Sequence, residues 1–278
     1  MSAGDKPLGS NGGPLLWLDY ADYAAALLAN GNPPWLHTAD CVAWLRKAQG
    51  LLRSDVVALP LQTVALAWVA AHADLRQALG TRKKVGYPLK TLLGDGALRG
   101  HLVELADGLR ASFGSQVLAL ACPVPGDWLA LAYREAFGAE AEADIDDDAV
   151  DSAAIHVADF LRVFGQSGID ALLLDDSAGP MPATQATLDL YQPIFNVCGH
   201  YRWDAGVLAP RGVEGNEPAD MTFAITCQPA HSGQLALIPG SFWTAGAASA
   251  VPMGKRLYAR IPQDSTPEAV LQRLAILR

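Results

Sequence analysis

A chain of 278 residues, 51% hydrophobic and 18% charged, has ample material for one large core and lies far from disordered or fibrous compositions. Its net charge of -9, with Thr81-Arg82-Lys83-Lys84 as the densest basic stretch, excludes the electrostatic footprint of a nucleic-acid binder. No apolar run approaches the roughly 20 residues that span a bilayer, and the four scattered cysteines read as reduced thiols rather than a disulfide framework.

Residues 1–14 are rich in Gly, Ser and Pro and read as a flexible tail without the apolar segment of a secretory signal. Residues 15–54 read as an N-terminal helical segment, in which Leu15–Ala29 and Pro34–Arg53 flank the breaker Asn30-Gly31-Asn32-Pro33. From 55 to 278 short apolar runs recur, most of them followed by a helix-like stretch. The runs are Val56–Leu61, Lys84–Leu89, Val117–Cys122, Ala171–Leu174, Pro193–Cys198, Met221–Cys227, Leu235–Pro239 and Leu257–Ile261. Helices are expected from the end of the first run to about Leu79, over Ala97–Phe113, Trp128–Phe137 and Ala149–Gly165, and over Thr266–Leu277 with Ser265 or Thr266 as its N-cap.

Continuous rather than alternating apolar character suits strands covered on both faces, as in a parallel sheet. Eight such runs predict an α/β fold, a (β/α)8 TIM barrel with an N-terminal helical extension, which usually needs roughly 250 residues. In that fold catalytic groups sit just beyond the strand ends. The expected mouth residues are therefore Asp175 and Asp176, Asn196, Cys198, His200 and Tyr201, Cys227 and His231, and Ser241 and Trp243. Asp175, Cys198 and His200 are the candidate catalytic groups, and Asn196, Tyr201, Ser241 and Trp243 the candidate substrate contacts.

Cys198 and Cys227 with His231 or His200 match the thiolate and imidazole preference of zinc. Against this, a free Cys at a strand end is more often packed as a small hydrophobe. Adjacent Asp175 and Asp176 point to opposite sides of a strand, so only one faces the mouth. That carboxylate either positions charge or acts as a base, or it merely caps the next segment. His37 and Cys41 share a helix face and read as packed, while His72, His101 and His156 read as ordinary helix residues. No phosphate-loop, dinucleotide or nucleophile-elbow pattern occurs.

Four landmarks stand in order: Leu102–Gly126 with its Pro123-Val124-Pro125-Gly126 turn, Gly168–Asp175 followed by Ser177-Ala178-Gly179, Pro193–Gly199 ending in Cys-Gly, and Ile238-Pro239-Gly240-Ser241. Together they resemble the superfamily of uroporphyrinogen decarboxylase and cobalamin-independent methionine synthase. The resemblance implies a TIM barrel that transfers a methyl group to a thiol with zinc, or one that decarboxylates without a cofactor. It places zinc ligands where this chain has Asn196, Cys198 and Ser241, so only Cys198 carries over, and His200, Cys227 or His231 would have to substitute. The arginine-rich substrate motif of the porphyrinogen branch is missing after Trp35-Leu36-His37-Thr38.

The expectation is thus a cytoplasmic enzyme of methyl transfer, with a metal-independent decarboxylase or lyase organised by Asp175 as the alternative. The third reading is a non-catalytic barrel serving as a binding or partner subunit. Zinc, or no cofactor at all, is expected. The expected partners are a small-molecule substrate and a second copy or partner subunit, with neither nucleic acid nor membrane.

Overall fold

The computed structural model describes Leu8 and residues 13–179, 181–231, 233–244 and 256–278; the expected tail lies outside these but for Leu8, Gly13 and Pro14. Eight parallel strands form one sheet: β1 (Leu15–Asp19), β2 (Val56–Pro60), β3 (Val117–Pro123), β4 (Ala171–Asp175), β5 (Asp204–Leu208), β6 (Phe223–Thr226), β7 (Gln234–Ile238) and β8 (Arg256–Arg260). From β2 to β8 each pairs with its neighbour in sequence, and β1 pairs with β8, with Leu15 opposite Arg256 and Asp19 opposite Arg260. The ladder is interrupted only between β1 and β2, so the sheet is a nearly closed (β/α)8 barrel.

Between β1 and β2 run helices α1 (Ala21–Ala29) and α2 (Thr38–Leu52). Four helices follow β2, namely α3 (Leu61–Ala71), α4 (Ala73–Leu79), α5 (Gly86–Leu93) and α6 (Gly96–Phe113). Helices α7 (Pro125–Phe137) and α8 (Asp147–Leu161) follow β3, α9 (Gln185–Asp189) and α10 (Gln192–Tyr201) follow β4, and α11 (Pro267–Leu277) follows β8. Helix starts are fixed locally. The side chains of Asp95, Asp146 and Thr266 accept the N–H of Leu98, Ala149 and Ala269, and Pro125 and Pro267 stand in first turns where no N–H is missed. No described helix is long and apolar enough to cross a membrane.

Alternation along the strands divides the core into two shells. Trp17, Val56, Ala119, Ala171, Leu173, Leu208, Phe223, Ile225, Leu235 and Tyr258 fill the barrel interior, while the opposite faces pack under the helices. Inside, the Trp17 ring lies 5.5 Å from Tyr258 and 6.1 Å from Phe223. Gly206 makes this possible, because a Cβ there would come within 2.2 Å of the Phe223 ring. At the end where the strands begin, Leu8 is fully buried in this inner shell. Its N–H donates to Asp204 Oδ2 at 2.7 Å and its carbonyl accepts from Arg256 Nη2 at 2.5 Å, so Leu8 closes the bottom of the barrel.

Six of the expected strands are present, and two are not. Lys84–Leu89 enters helix α5, and Pro193–Cys198 lies within α10, where Ile194, Phe195, Val197 and Cys198 form a buried helical face behind a first-turn proline. Their places are taken by β1, inside what reads as a helix over 15–29, and by β5, whose first residue is a buried aspartate and whose centre is Gly206. The 15–54 segment therefore supplies a barrel strand as well as α1 and α2.

Candidate functional site

At the end where the strands finish, Asp19 closes β1, Asp175 closes β4 and Arg260 closes β8. β8 and β4 stand on opposite sides of the ring, and the Arg260 side chain crosses the mouth between them. Its Nε donates to Asp19 Oδ2 and its Nη2 to Asp175 Oδ2, both at 2.7 Å. Tyr258, one inward position deeper on β8, donates its hydroxyl to Asp19 Oδ2 at 3.0 Å. Burial works against the Arg260 charge, but Tyr258, Asp19 and Asp175 outweigh it and hold the guanidinium more firmly protonated than usual.

The adjacent carboxylates divide as strand geometry requires. Asp175 faces the mouth, one oxygen on Arg260 and the other accepting the Ser177 N–H at 2.9 Å, so it positions charge and caps the next turn at once. Asp176 turns away toward Asp127 in the first turn of α7. Burial, then Asp127 and Asp175, push its carboxyl up to about 6. Asp127 is itself raised by burial and by Asp175.

A cavity of about 280 Å³ opens beside this network, lined by residues of β1, β2, β3, β4 and β8 together with Leu45, Gln62 and Thr63. It exists because the inward positions on β2 and β3 are Ala58 and Ala121, too small to fill their share of the interior. It also extends sideways. Trp17, Tyr258 and Leu173 on its wall belong to the barrel interior, whereas Leu18, Tyr20 and Leu45 belong to the shell under the helices. The passage between them is the seam where β1 and β2 share no ladder. Lower in that seam side chains replace strand pairing, Asp55 Oδ2 accepting Leu16 N–H at 2.6 Å and Ser54 Oγ accepting Leu18 N–H at 2.9 Å.

The other expected site residues lie elsewhere. Cys198 is buried on α10, which packs against α8 and flanks β5. Asn196 and His200 are on the exposed face of the same helix, and Asn196 accepts from Gln192 at 3.0 Å. Tyr201, at the end of α10 just before β5 begins, stacks on Trp203 at 5.3 Å over Gly165, on the side away from the mouth. Cys227 and His231 follow β6 as exposed residues, and His231 Nε2 stands 3.3 Å from Glu217. Ser241 is exposed and Trp243 buried in a short 3-10 turn after β7.

Cys198, Cys227 and His231 therefore form no ligand set, and no cluster of three or more His, Cys, Asp or Glu among the described residues is placed to hold a metal ion. The residues do not fit the zinc site that the resemblance implies, because its Cys-Gly segment is helix here rather than a strand end. Cys41 is packed as expected, its thiol pushed up to about 12 by burial, and His101 is tied by Nε2 to the Trp35 carbonyl at 2.7 Å. The residues missed from sequence are Asp19, Tyr20, Tyr258 and Arg260. The signal was present in Leu15–Asp19 and Leu257–Arg260, two apolar runs each ending in a charge, one acidic and one basic.

No protein-family model and no curated protein matches the sequence. Among solved structures the chain is similar to a methyltransferase from Methanosarcina mazei, at 14% identity and a TM-score of 0.58, covering 98% of this chain and 96% of that one. At such identity the likeness establishes the common barrel fold.

Proposed function

We propose that this chain is a methyl-transferring barrel enzyme, a divergent member of the uroporphyrinogen decarboxylase and methionine synthase superfamily, working at the mouth formed by β1, β4 and β8. The observation that carries the reading is the Asp19–Arg260–Asp175 network beside a cavity at the strand ends, where barrels of this kind place their chemistry. The full-length structural likeness to a methyltransferase supports it. Asp175 is the base. As a thiol or similar nucleophile attacks the methyl carbon, Asp175 takes the nucleophile's proton, and the leaving group departs with the electron pair of the broken bond. Arg260 and Ser177 N–H hold the carboxylate in one orientation, and Tyr258 holds Asp19.

Isotopically labelled methyl-corrinoid, methyl-folate and sulfonium donors, each offered with 2-mercaptoethanol, test the reading. The wild type is expected to form the S-methyl product with one of them, and Asp175→Asn to lower kcat by about 100-fold. No product from any donor, or an Asn variant as fast as the wild type, rejects it.

Arg260 favours a second reading, decarboxylation. A guanidinium fork beside a cavity is suited to a substrate carboxylate, which would replace Asp175 as its partner. Chelator-insensitive release of labelled carbon dioxide from a small carboxylic acid, without methyl transfer, would select it.

A further inference from the structure

The barrel interior is filled unevenly. Its inward positions carry Trp17, Phe223 and Tyr258 on β1, β6 and β8, but alanine on β2 and β3, where Ala58 stands opposite Ala119 and Ala121 opposite Leu173 of β4. An alanine has a single side-chain atom, so on the inward face of a strand its methyl group can only face the interior. Ala119 is fully buried, as is Val56 one inward position below Ala58. Ala58 and Ala121, by contrast, are partly exposed and line the cavity. The surface that these two methyl groups expose therefore opens toward the mouth.

The cavity accordingly has two levels. Asp19, Asp175 and Arg260 form a partly exposed, charged rim at the strand ends, and below them Ala58 and Ala121 present carbon only. Wet apolar surface inside a concavity is favourable to cover, and an apolar cavity of about 150 Å³ is enough to take a benzene ring. At about 280 Å³ the whole space lies at the small end of ligand pockets. We propose that Ala58 and Ala121 are specificity-determining residues. They form the floor for the compact apolar end, up to the size of a phenyl ring, of a small molecule whose polar end meets the charged rim. The inference rests on the functional reading above in that this molecule is the methyl acceptor or donor, with its reacting end beside Asp175.

Benzyl alcohol and the slimmer 1-butanol are the probes, titrated against the full chain by saturation-transfer NMR so that binding is read without turnover. The wild type is expected to bind both saturably. In Ala58→Val and in Ala121→Val the Kd of benzyl alcohol is expected to rise about tenfold, as a misfit of one or two methyl groups implies, with that of 1-butanol changed less. Leu173→Ala combined with Ala121→Val reopens the adjoining space and should restore most of the benzyl alcohol affinity. Ala58→Cys, which adds a single heavy atom, carries the test if the valine variants unfold by circular dichroism. The introduced thiol is expected to react with iodoacetamide, mapped by mass spectrometry against buried Cys41 and Cys122, and to be protected by benzyl alcohol. Absence of saturable benzyl alcohol binding, an unchanged Kd in both valine variants, an equal rise for both alcohols, or a thiol that benzyl alcohol fails to protect overturns the floor. Size-dependent binding in a protein that transfers no methyl group upholds the floor while removing the methyl-transfer reading, and methyl transfer without size-dependent binding does the reverse.

Discussion

Arg260 serves two carboxylates from one side chain, which requires a planar fork with donors on separate edges; an ammonium is a single point and cannot reproduce it. The pairs are partly exposed, the arginine side chain at 44%, so their share of stability is small. Arg260→Lys is accordingly expected to cost less than about 1 kcal/mol in urea unfolding, yet to lower turnover at least about tenfold in the assays above. Equal losses in stability and turnover would mark the arginine as structural only.

Asp176 makes a prediction with a definite sign. Its folded carboxyl titrates at about 6, above the ordinary aspartate value, so folding favours the protonated form. The favourable contribution is fully present below the unfolded value near 4 and disappears as pH rises through 6. Asp176→Asn should therefore be more stable than wild type by about 1 kcal/mol at pH 7, after allowance for solvent screening, and indistinguishable near pH 4. Thermal unfolding of both proteins across that range checks it. A wild type that gains stability between pH 4 and 7 relative to the variant would contradict the burial argument.

Among the strands, close packing in the interior depends on one absent side chain. Gly206→Ala places a methyl group inside the space of the Phe223 ring, which Trp17 prevents from moving aside. A loss of about 2 kcal/mol is expected, with most of it recovered in Gly206→Ala combined with Phe223→Leu. Denaturant midpoints of the single and double variants measure the recovery.

The same strands show what sequence patterning could reveal. β2, β3, β4, β6, β7 and β8 are legible because each is a short apolar run bounded by turn residues or charge. β1 is not, since Leu15-Leu16-Trp17-Leu18 continues into the helical Ala21–Ala29 with only Asp19-Tyr20 between them. β5 is hidden by a buried aspartate and a glycine whose reasons lie in Leu8, near the other end of the chain, and in Phe223 on the next strand of the sheet. The run at Pro193 could have been resolved by its spacing, which repeats at three and four residues rather than two. Because Cys198 rode on that run, it left the mouth together with Asn196, His200 and Tyr201. Asp175 stayed at the mouth because it closes a strand whose apolar run is unambiguous.

For the molecule as a whole, the two ends of the barrel are built differently. The mouth keeps a cavity and half-exposed charges, while the bottom is sealed by Leu8 between Asp204 and Arg256. Leu8→Ala removes a fully buried side chain from the inner shell and should cost about 2–3 kcal/mol, with the mouth and its ligand affinities unchanged. Urea unfolding read beside the methyl-transfer assay separates the two effects.

The open seam has a consequence for how the chain comes to be folded. With no ladder to β2, the first strand has only β8 to pair with, and residues 8 and 256 join across 248 positions. During synthesis β1 must wait, its strand edges unmatched, until β8 has left the ribosome, so ring closure follows the pairing of the other strands rather than preceding it.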